Sequence, residues 1–276
     1  MARLTDQQAD RVFDSILLKL EGQLKRKLNA NFNQLSKDIQ RALEAFDEAG
    51  AAAIVSLNDA VIEQMLIDNY ELGIMEGARM TERDVFGDNE DGFAEEALLL
   101  LLLWLRSTAK TVAIEINTTT FKILSKVMDD QRSLGLTSKE LSKSVSKEMK
   151  QRNLNRSTTI ATTEAQRGIQ EGSQQMGSII DDLFANGDAL GRLGRDRLPA
   201  EDQPVVIPTP VLVKQWRSQG DRRVRRTHVD ANGQEVAPAD LFIVGKGKGR
   251  FPLDVMLPKA ETIGCRCYLR WRAKLV

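Results

Sequence analysis

The chain has 276 residues, 42% hydrophobic and 28% charged, and 39 basic side chains balance 39 acidic ones. This is the composition of a folded protein of one large or two modest domains, and two cysteines in such a length exclude a disulfide scaffold. The zero formal charge is unevenly spread: positions 81–96 hold seven acidic residues against one arginine, and positions 214–274 hold fourteen basic against six acidic, so a basic face is expected at the C-terminal end.

The N-terminal stretch MARLTDQQADRVFD contains no apolar h-region. The sequence therefore predicts no secretory signal and a chain made in a reducing cytoplasm. Thr5 with Gln8 fits a capping box. Phe13, Leu17, Leu20, Leu24, Leu28, Phe32, Leu35, Ile39, Leu43 and Phe46 then recur at steps of three and four, which predicts one long helix with a single apolar stripe. Gly50 is expected to interrupt it. A second helix is expected over 51–80, with Ile54, Leu57, Val61, Met65 and Ile67 inward. The acidic FGDNEDGF segment, 86–93, reads as a turn or exposed loop.

A third helix is expected from Phe93 to about Leu134, where Gly135 breaks it. It opens with ALLLLLLWL, 97–105, about half the length that a bilayer requires. A helix apolar on every side is expected to lie buried among other helices. Thr137 with Glu140 forms a second capping box, and Ser157 is expected to open a further helix to Phe184. From Gly187 to Pro210 glycines and prolines break the helical pattern. Short apolar runs follow, VLVKQW, DLFIV and CRCYLRWRAKLV, separated by the turn signals DANG and GKGKG. The last run alternates. Cys265, Cys267, Leu269, Trp271 and Ala273 share an inward face, and Arg266, Tyr268, Arg270, Arg272 and Lys274 form a cationic ladder expected to face outward. The fold class is thus α+β, read as an N-terminal helical arm (1–92), a central helical region (93–186) and a β-rich C-terminal part (187–276).

Cys265 and Cys267 stand one residue apart. On a strand their Cβ vectors run parallel, which opposes a disulfide. His228 is the only histidine. It could join Cys265 and Cys267 as a zinc ligand, with Asp221 or Asp230 as the fourth, but the C-x-x-C spacing of a zinc site is missing. The reading preferred here has no metal: His228 bonds a carbonyl or carboxylate, and the thiols pack as small apolar groups. A Cys–His nucleophile lacks any surrounding signature. GKGKGR lacks the pattern of a nucleotide loop and reads as a hairpin tip. Arg222, Arg223, Arg226, Lys246, Lys248, Arg250, Arg266, Arg270 and Arg272 could together rest on double-stranded DNA phosphates without sequence preference, or meet an acidic protein.

The order W-x-S-x-x-D-x-R-V-R-x-x-H, a glycine turn, F-x-V, P and E-x-I-x-C-R-C resembles the phage Mu F-like minor head proteins, also called phage head morphogenesis proteins. It is carried by Trp216, Ser218, Asp221, Arg223, Val224, Arg225, His228, Gly233, Phe242, Val244, Pro252, Glu261, Ile263, Cys265, Arg266 and Cys267. Upstream, TTIATTEAQRGIQEGSQ is similar to that family's helix with a threonine–glutamate pair, at Thr163 and Glu164. The resemblance spans roughly 156–269. The sequence departs from it where Thr162 replaces a usual arginine, and where Arg225 and His228 stand in place of a C-x-x-C that some members carry, which weighs against zinc. The resemblance implies a non-enzymatic minor component of a tailed-phage head, made in the host cytoplasm and held in the capsid interior near the portal. Its expected partners are the portal or major capsid protein, with double-stranded DNA contacted non-specifically and no membrane. A structural polar network of Asp221, Arg225, His228, Glu261 and Glu164 is expected, without a cofactor. Mu F-like regions also occur joined to toxin domains, so the alternative expectation is an effector enzyme acting on nucleic acid or nucleotide. A cytoplasmic DNA-binding module is a third class.

Overall fold

Helix α1 (Asp6–Glu44) starts at the first capping box, where Thr5 N donates to Gln8 Oε1 at 2.8 Å and Gln8 N to Thr5 Oγ1 at 3.3 Å. The structure, a computed structural model, describes residues 5–45, 47–87, 93–186 and 210–275. The apolar stripe from Phe13 to Leu43 is no more than 4% exposed at any of its positions; Phe46 lies outside the described residues. Asp47 caps α2 (Glu48–Leu57) by accepting from Gly50 N at 2.6 Å, so Gly50 opens a helix instead of breaking one.

The predicted inward set of the second helix is corrected. The segment is split at Asn58 into α2 and α3 (Asp59–Phe86). Its buried positions are Ala51, Val55, Ile62, Leu66, Tyr70 and Ile74, while Leu57 is 77% exposed and Val61 also faces solvent. Asn58 explains the phase. It turns inward and exchanges amide hydrogen bonds with Asn31 at 2.7 and 3.0 Å, and the apolar stripe follows that face.

Helix α4 (Phe93–Arg132) ends ahead of Gly135, at φ 65°. All-round burial of its leucine run does not hold. Ala97, Leu101 and Leu105 are buried, whereas Leu99, Leu100 and Leu103 are exposed, the last at 84%. Helix α5 (Ser138–Ala185) begins at the second capping box, with Thr137 N donating to Glu140 Oε2 at 3.0 Å. It runs unbroken through Ser157, whose hydroxyl bonds the Leu154 carbonyl at 2.8 Å within the helix. The acidic loop at 88–92 and the glycine- and proline-rich 187–209 lie outside the described residues. Two stretches, Glu48–Phe86 and Ala94–Arg132, are long and apolar enough to cross a membrane by length and composition alone. Paired polar groups interrupt both, with Asn117 donating to Asp59 at 2.5 Å and Lys27 paired to Asp68 at 2.8 Å.

The chain divides into two compact units: Leu20–Asn69 with Leu103–Glu164, and Met1–Lys19 with Tyr70–Leu102 and Ala165–Val276. The first is wholly helical among its described residues. Arg156 ties α5 to α4 there, donating to the Ile116 carbonyl at 3.2 Å and the Thr120 hydroxyl at 3.1 Å.

The second unit carries the strands, and the α+β class is observed. β1 (Pro210–Arg217), β2 (Glu235–Val236) and β5 (Tyr268–Leu275) form an antiparallel sheet in the order β2-β1-β5. β3 (Phe242–Val244) and β4 (Gly247–Gly249) form a hairpin, and α6 (Arg226–Ala231) and α7 (Lys259–Thr262) are single turns. The inward alternation of the last run is as predicted, although the strand itself starts only at Tyr268: Cys265 and Cys267 ahead of it and Leu269, Trp271 and Ala273 on it join Leu212, Trp216, Phe242 and Phe251 in one core. As an edge strand β5 leaves backbone groups to be satisfied. Two buried glutamines one turn apart on α5 do this: Gln166 Nε2 donates to the Cys267 carbonyl, and Gln170 Oε1 accepts from Leu269 N at 2.9 Å.

The other face of β5 corrects the expected cationic ladder. Tyr268 stacks on Phe13 at 4.4 Å between ring centroids, and its hydroxyl donates to Asp10. Arg270 forks onto Asp84 at 3.0 and 3.1 Å and reaches Asp6 at 2.6 Å. Arg272 pairs with Asp6 at 2.5 Å, and Lys274 with Glu235. The carboxylates that meet Tyr268, Arg270 and Arg272 come from the first turns of α1 and from α3, remote in sequence, and Glu235 on β2 meets Lys274, so the charge count of the C-terminal region alone overstates its free charge.

Charge is also buried beneath the sheet. The ammonium of Lys214, on β1, donates to the Arg250 carbonyl at 3.0 Å, and burial pulls its pKa down to about 8. Burial pushes the Glu171 carboxyl on α5 up to about 7, against the opposing pull of Arg250. Between its ordinary 4.5 and about 7 the folded chain keeps a proton that the unfolded chain has lost. This contribution to stability therefore falls as pH rises through that window. Glu171→Gln is expected to remove the fall, read as a urea midpoint that changes less than the parent's between about pH 5 and about pH 7.

Candidate functional site

The polar residues singled out from the sequence converge on the loops around α6, α7 and the approach to β5. Asp221 starts the first loop, its Oδ1 accepting from Arg223 N at 2.9 Å. Its other oxygen pairs with Arg266, so the Asp–Arg pair of this site joins Asp221 to Arg266. Arg225 instead donates to the Ile263 carbonyl. Asn232 Oδ1 accepts from Ser218 N at 2.8 Å and holds the end of β1 against the turn after α6. Gly264, at φ 65°, makes the turn that delivers Cys265, whose N–H bonds the Thr262 carbonyl at 3.0 Å.

At the centre lies His228, on α6. Its Nε2 is 3.0 Å from Glu261 Oε2, an oxygen that also accepts from Thr227 Oγ1 at 2.9 Å. Its Nδ1 is 3.2 Å from Cys267 Sγ and 3.5 Å from Cys265 Sγ. The ring meets Trp216 edge-on at 5.6 Å. Both sulfurs are free thiols, each residue 1% exposed. Burial by itself pushes the Cys265 thiol up, but hydrogen bonds with Cys267 and His228 outweigh it and bring the group well below its ordinary value. Cys267 is pushed up by its bond to Cys265 and by burial. For His228 burial acts downward, and the contact with Cys265 reverses it, leaving the imidazole raised.

Glu261, His228 and Cys267 stand in the order of an acid–imidazole–thiol relay. What such a relay also needs is a thiol that substrate can reach, and each cysteine is almost fully buried. A small cleft reaches the cluster, lined by Asp221, Arg223, Val224, Arg225 and Arg266 and by His228, Cys265 and Cys267 themselves. Asp230, considered as a fourth metal ligand, is exposed, and Glu164 is buried on α5 in the helical unit.

Of the nine basic positions expected on the nucleic-acid face, Arg222, Arg223, Arg226, Lys246, Lys248 and Arg250 are exposed. Arg250 is forked onto Asp254 at 2.9 and 3.2 Å, and Arg266, Arg270 and Arg272 are engaged by acids as described. Sequence reasoning missed Thr227, Gln166 and Gln170. Gln166 and Gln170 stand four apart on a helix otherwise read for its apolar stripe, and a buried polar pair at that spacing was the available signal. No family model matches the chain, and neither a curated protein nor a solved structure matches it.

Proposed function

We propose that the chain is a minor head protein of a tailed phage, acting in head morphogenesis by binding the portal or the capsid interior and closing on packaged DNA through a limited basic surface. One observation carries this reading. Residues of the Mu F-like motif that are dispersed between Trp216 and Cys267 come together as linked partners: Asp221 with Arg266, Arg225 with the Ile263 carbonyl, and His228 with Trp216, Glu261, Cys265 and Cys267. A motif whose members support one another in this way acts as scaffold, and the work passes to surfaces. Exposed leucines on α4 and an open groove of about 720 Å³, lined by Leu35, Ala42, Ile54, Leu57 and Val61, offer apolar surface for protein partners.

Arg222, Arg223, Arg226, Lys246 and Lys248, the exposed cations other than the paired Arg250, support only modest attraction to DNA. With about one counterion released per phosphate contact, log K against log salt should slope no more steeply than about −4.5. The decisive experiment is co-expression with a tailed-phage portal protein from the same genome. Co-elution on size exclusion at moderate salt is expected, and separate elution of two folded proteins would overturn the reading. The second reading, an effector enzyme, draws on the Glu261–His228–Cys267 alignment. Turnover of a nucleotide or nucleic-acid substrate that is lost in Cys267→Ala would favour it.

A further inference from the structure

We propose that Cys265, Cys267 and His228 hold one thiophilic divalent cation, zinc in the cell, independently of the assembly role. Their ligand atoms lie within 4.8 Å of one another, with His228 Nδ1 at 3.2 and 3.5 Å from the two sulfurs. Tetrahedral zinc, with bonds of about 2.3 Å to sulfur and about 2.0–2.1 Å to nitrogen, sets ligand atoms roughly 3.5–3.8 Å apart. The three groups therefore bracket an ion after shifts of side chains alone. Two sulfurs and an imidazole nitrogen are a soft donor set that suits zinc and discriminates against magnesium and calcium.

A second observation is independent of the cysteines. The far nitrogen of His228 is held by Glu261 at 3.0 Å, and Thr227 fixes that same carboxylate oxygen at 2.9 Å. A carboxylate accepting from Nε2–H sets the tautomer that presents the Nδ1 lone pair to the sulfurs. This is the outer partner that metal-binding imidazoles use, and it raises ligand basicity as well as fixing the ring. A histidine that served packing alone would need neither the second carboxylate support nor two thiols converging on its remaining nitrogen. Among the described residues no fourth His, Cys, Asp or Glu joins the group, so water completes the coordination. The ligands come from α6 and from the approach to β5, so the ion links two loops of a unit built from short strands, where binding energy adds directly to folding energy.

Elemental analysis of the full chain, purified under reducing conditions without chelator, is expected to find about one zinc per chain. After chelator treatment, cobalt(II) is expected to give thiolate-to-metal charge-transfer bands that saturate at one equivalent. Each single variant, Cys265→Ser or Cys267→Ser, should weaken them and the double variant abolish them. Glu261→Gln leaves all three ligands in place and should loosen cobalt by about 10–100-fold. Where a cysteine variant fails to fold, X-ray absorption at the zinc edge of the parent protein decides. Two sulfurs and one imidazole in the shell support the site. A shell without sulfur, metal-free parent protein that gives no thiolate band with cobalt, or bands unchanged in the double variant would overturn it.

Discussion

Replacing Arg270 by alanine is expected to cost the fold about 3–5 kcal/mol, the range for breaking one side of a buried ion pair. The Arg270 side chain is 4% exposed and that of Asp84 is 1% exposed, and the guanidinium meets both carboxylate oxygens. Truncation removes this fork and leaves the buried Asp84 carboxylate without the guanidinium charge that offsets its desolvation. Asp6, half exposed, loses a partner too, but water replaces it at little cost. Arg270→Lys keeps the charge and loses the planar fork, so it should recover only part of the stability. Urea denaturation of the two single variants and of Arg270→Met combined with Asp84→Leu separates the contributions. The apolar pair should lie well above either single variant, because it removes both charges at once. A loss below about 1 kcal/mol for Arg270→Ala would mean that the pair is open to solvent.

The second large effect lies where helices α3 and α5 meet. Gly73 and Gly77 on α3 face Gly168, Ile169 and Ser173 on α5, and Gly172 on α5 faces Ile74 on α3. A side chain on Gly77 would strike the Ile169 carbonyl oxygen, and one on Gly172 the Ile74 carbonyl oxygen. These obstacles are backbone, which cannot swing aside as a flexible side chain does. Gly172→Ala therefore loses about 1–3 kcal/mol or more to overpacking, which exceeds the roughly 1 kcal/mol that alanine gains over glycine in a helix. Gly172→Leu should abolish cooperative unfolding of the strand-bearing unit. Gly22 on α1 supplies the control, since an added Cβ there meets only the end of Arg26 at 3.6 Å. Gly22→Ala should be neutral or stabilising by about 0.5–1 kcal/mol. Thermal scans by circular dichroism report all three, and equal stabilities for Gly22→Ala and Gly172→Ala would contradict the close crossing.

Local chemistry in the sequence carried over well. Both capping boxes form as their residue types require, and the long stripe of α1 is buried along its described length. The alternation that turns Cys265 and Cys267 inward also holds. Features that depend on distant partners did not carry over. The inward phase of α2 and α3 is set by Asn58 reaching Asn31, and neither asparagine announces the other. The expected cationic ladder failed for the same reason: Asp6, Asp10 and Asp84 are ordinary helical acids until the fold sets them against β5. GIMEG and GIQEG carry the same glycine spacing on two helices, a small-residue signal that could have predicted the crossing. At the site, residue type groups His228 with the two cysteines, and Glu261 enters through the resemblance. The division of the imidazole, one nitrogen to a carboxylate and the other to both sulfurs, is a matter of geometry that spacing does not encode.

The same separation between local and distant determinants explains why surface charge misled more than composition did. A net excess of basic residues over 214–274 is real in the sequence, yet intramolecular acids take up Arg250, Arg266, Arg270 and Arg272. The remaining cations sit on the loop before α6, on α6 itself and on the β3–β4 hairpin, and Val229 and Ile243 on these elements are exposed as well.

Mass spectrometry of phage particles induced from the cells that carry this gene tests the proposed assembly role most directly. The chain should be found inside mature heads in low copy, and a frameshift in its gene should lower the yield of filled heads. Full-yield, infectious particles that never contain the chain would contradict a function in head morphogenesis.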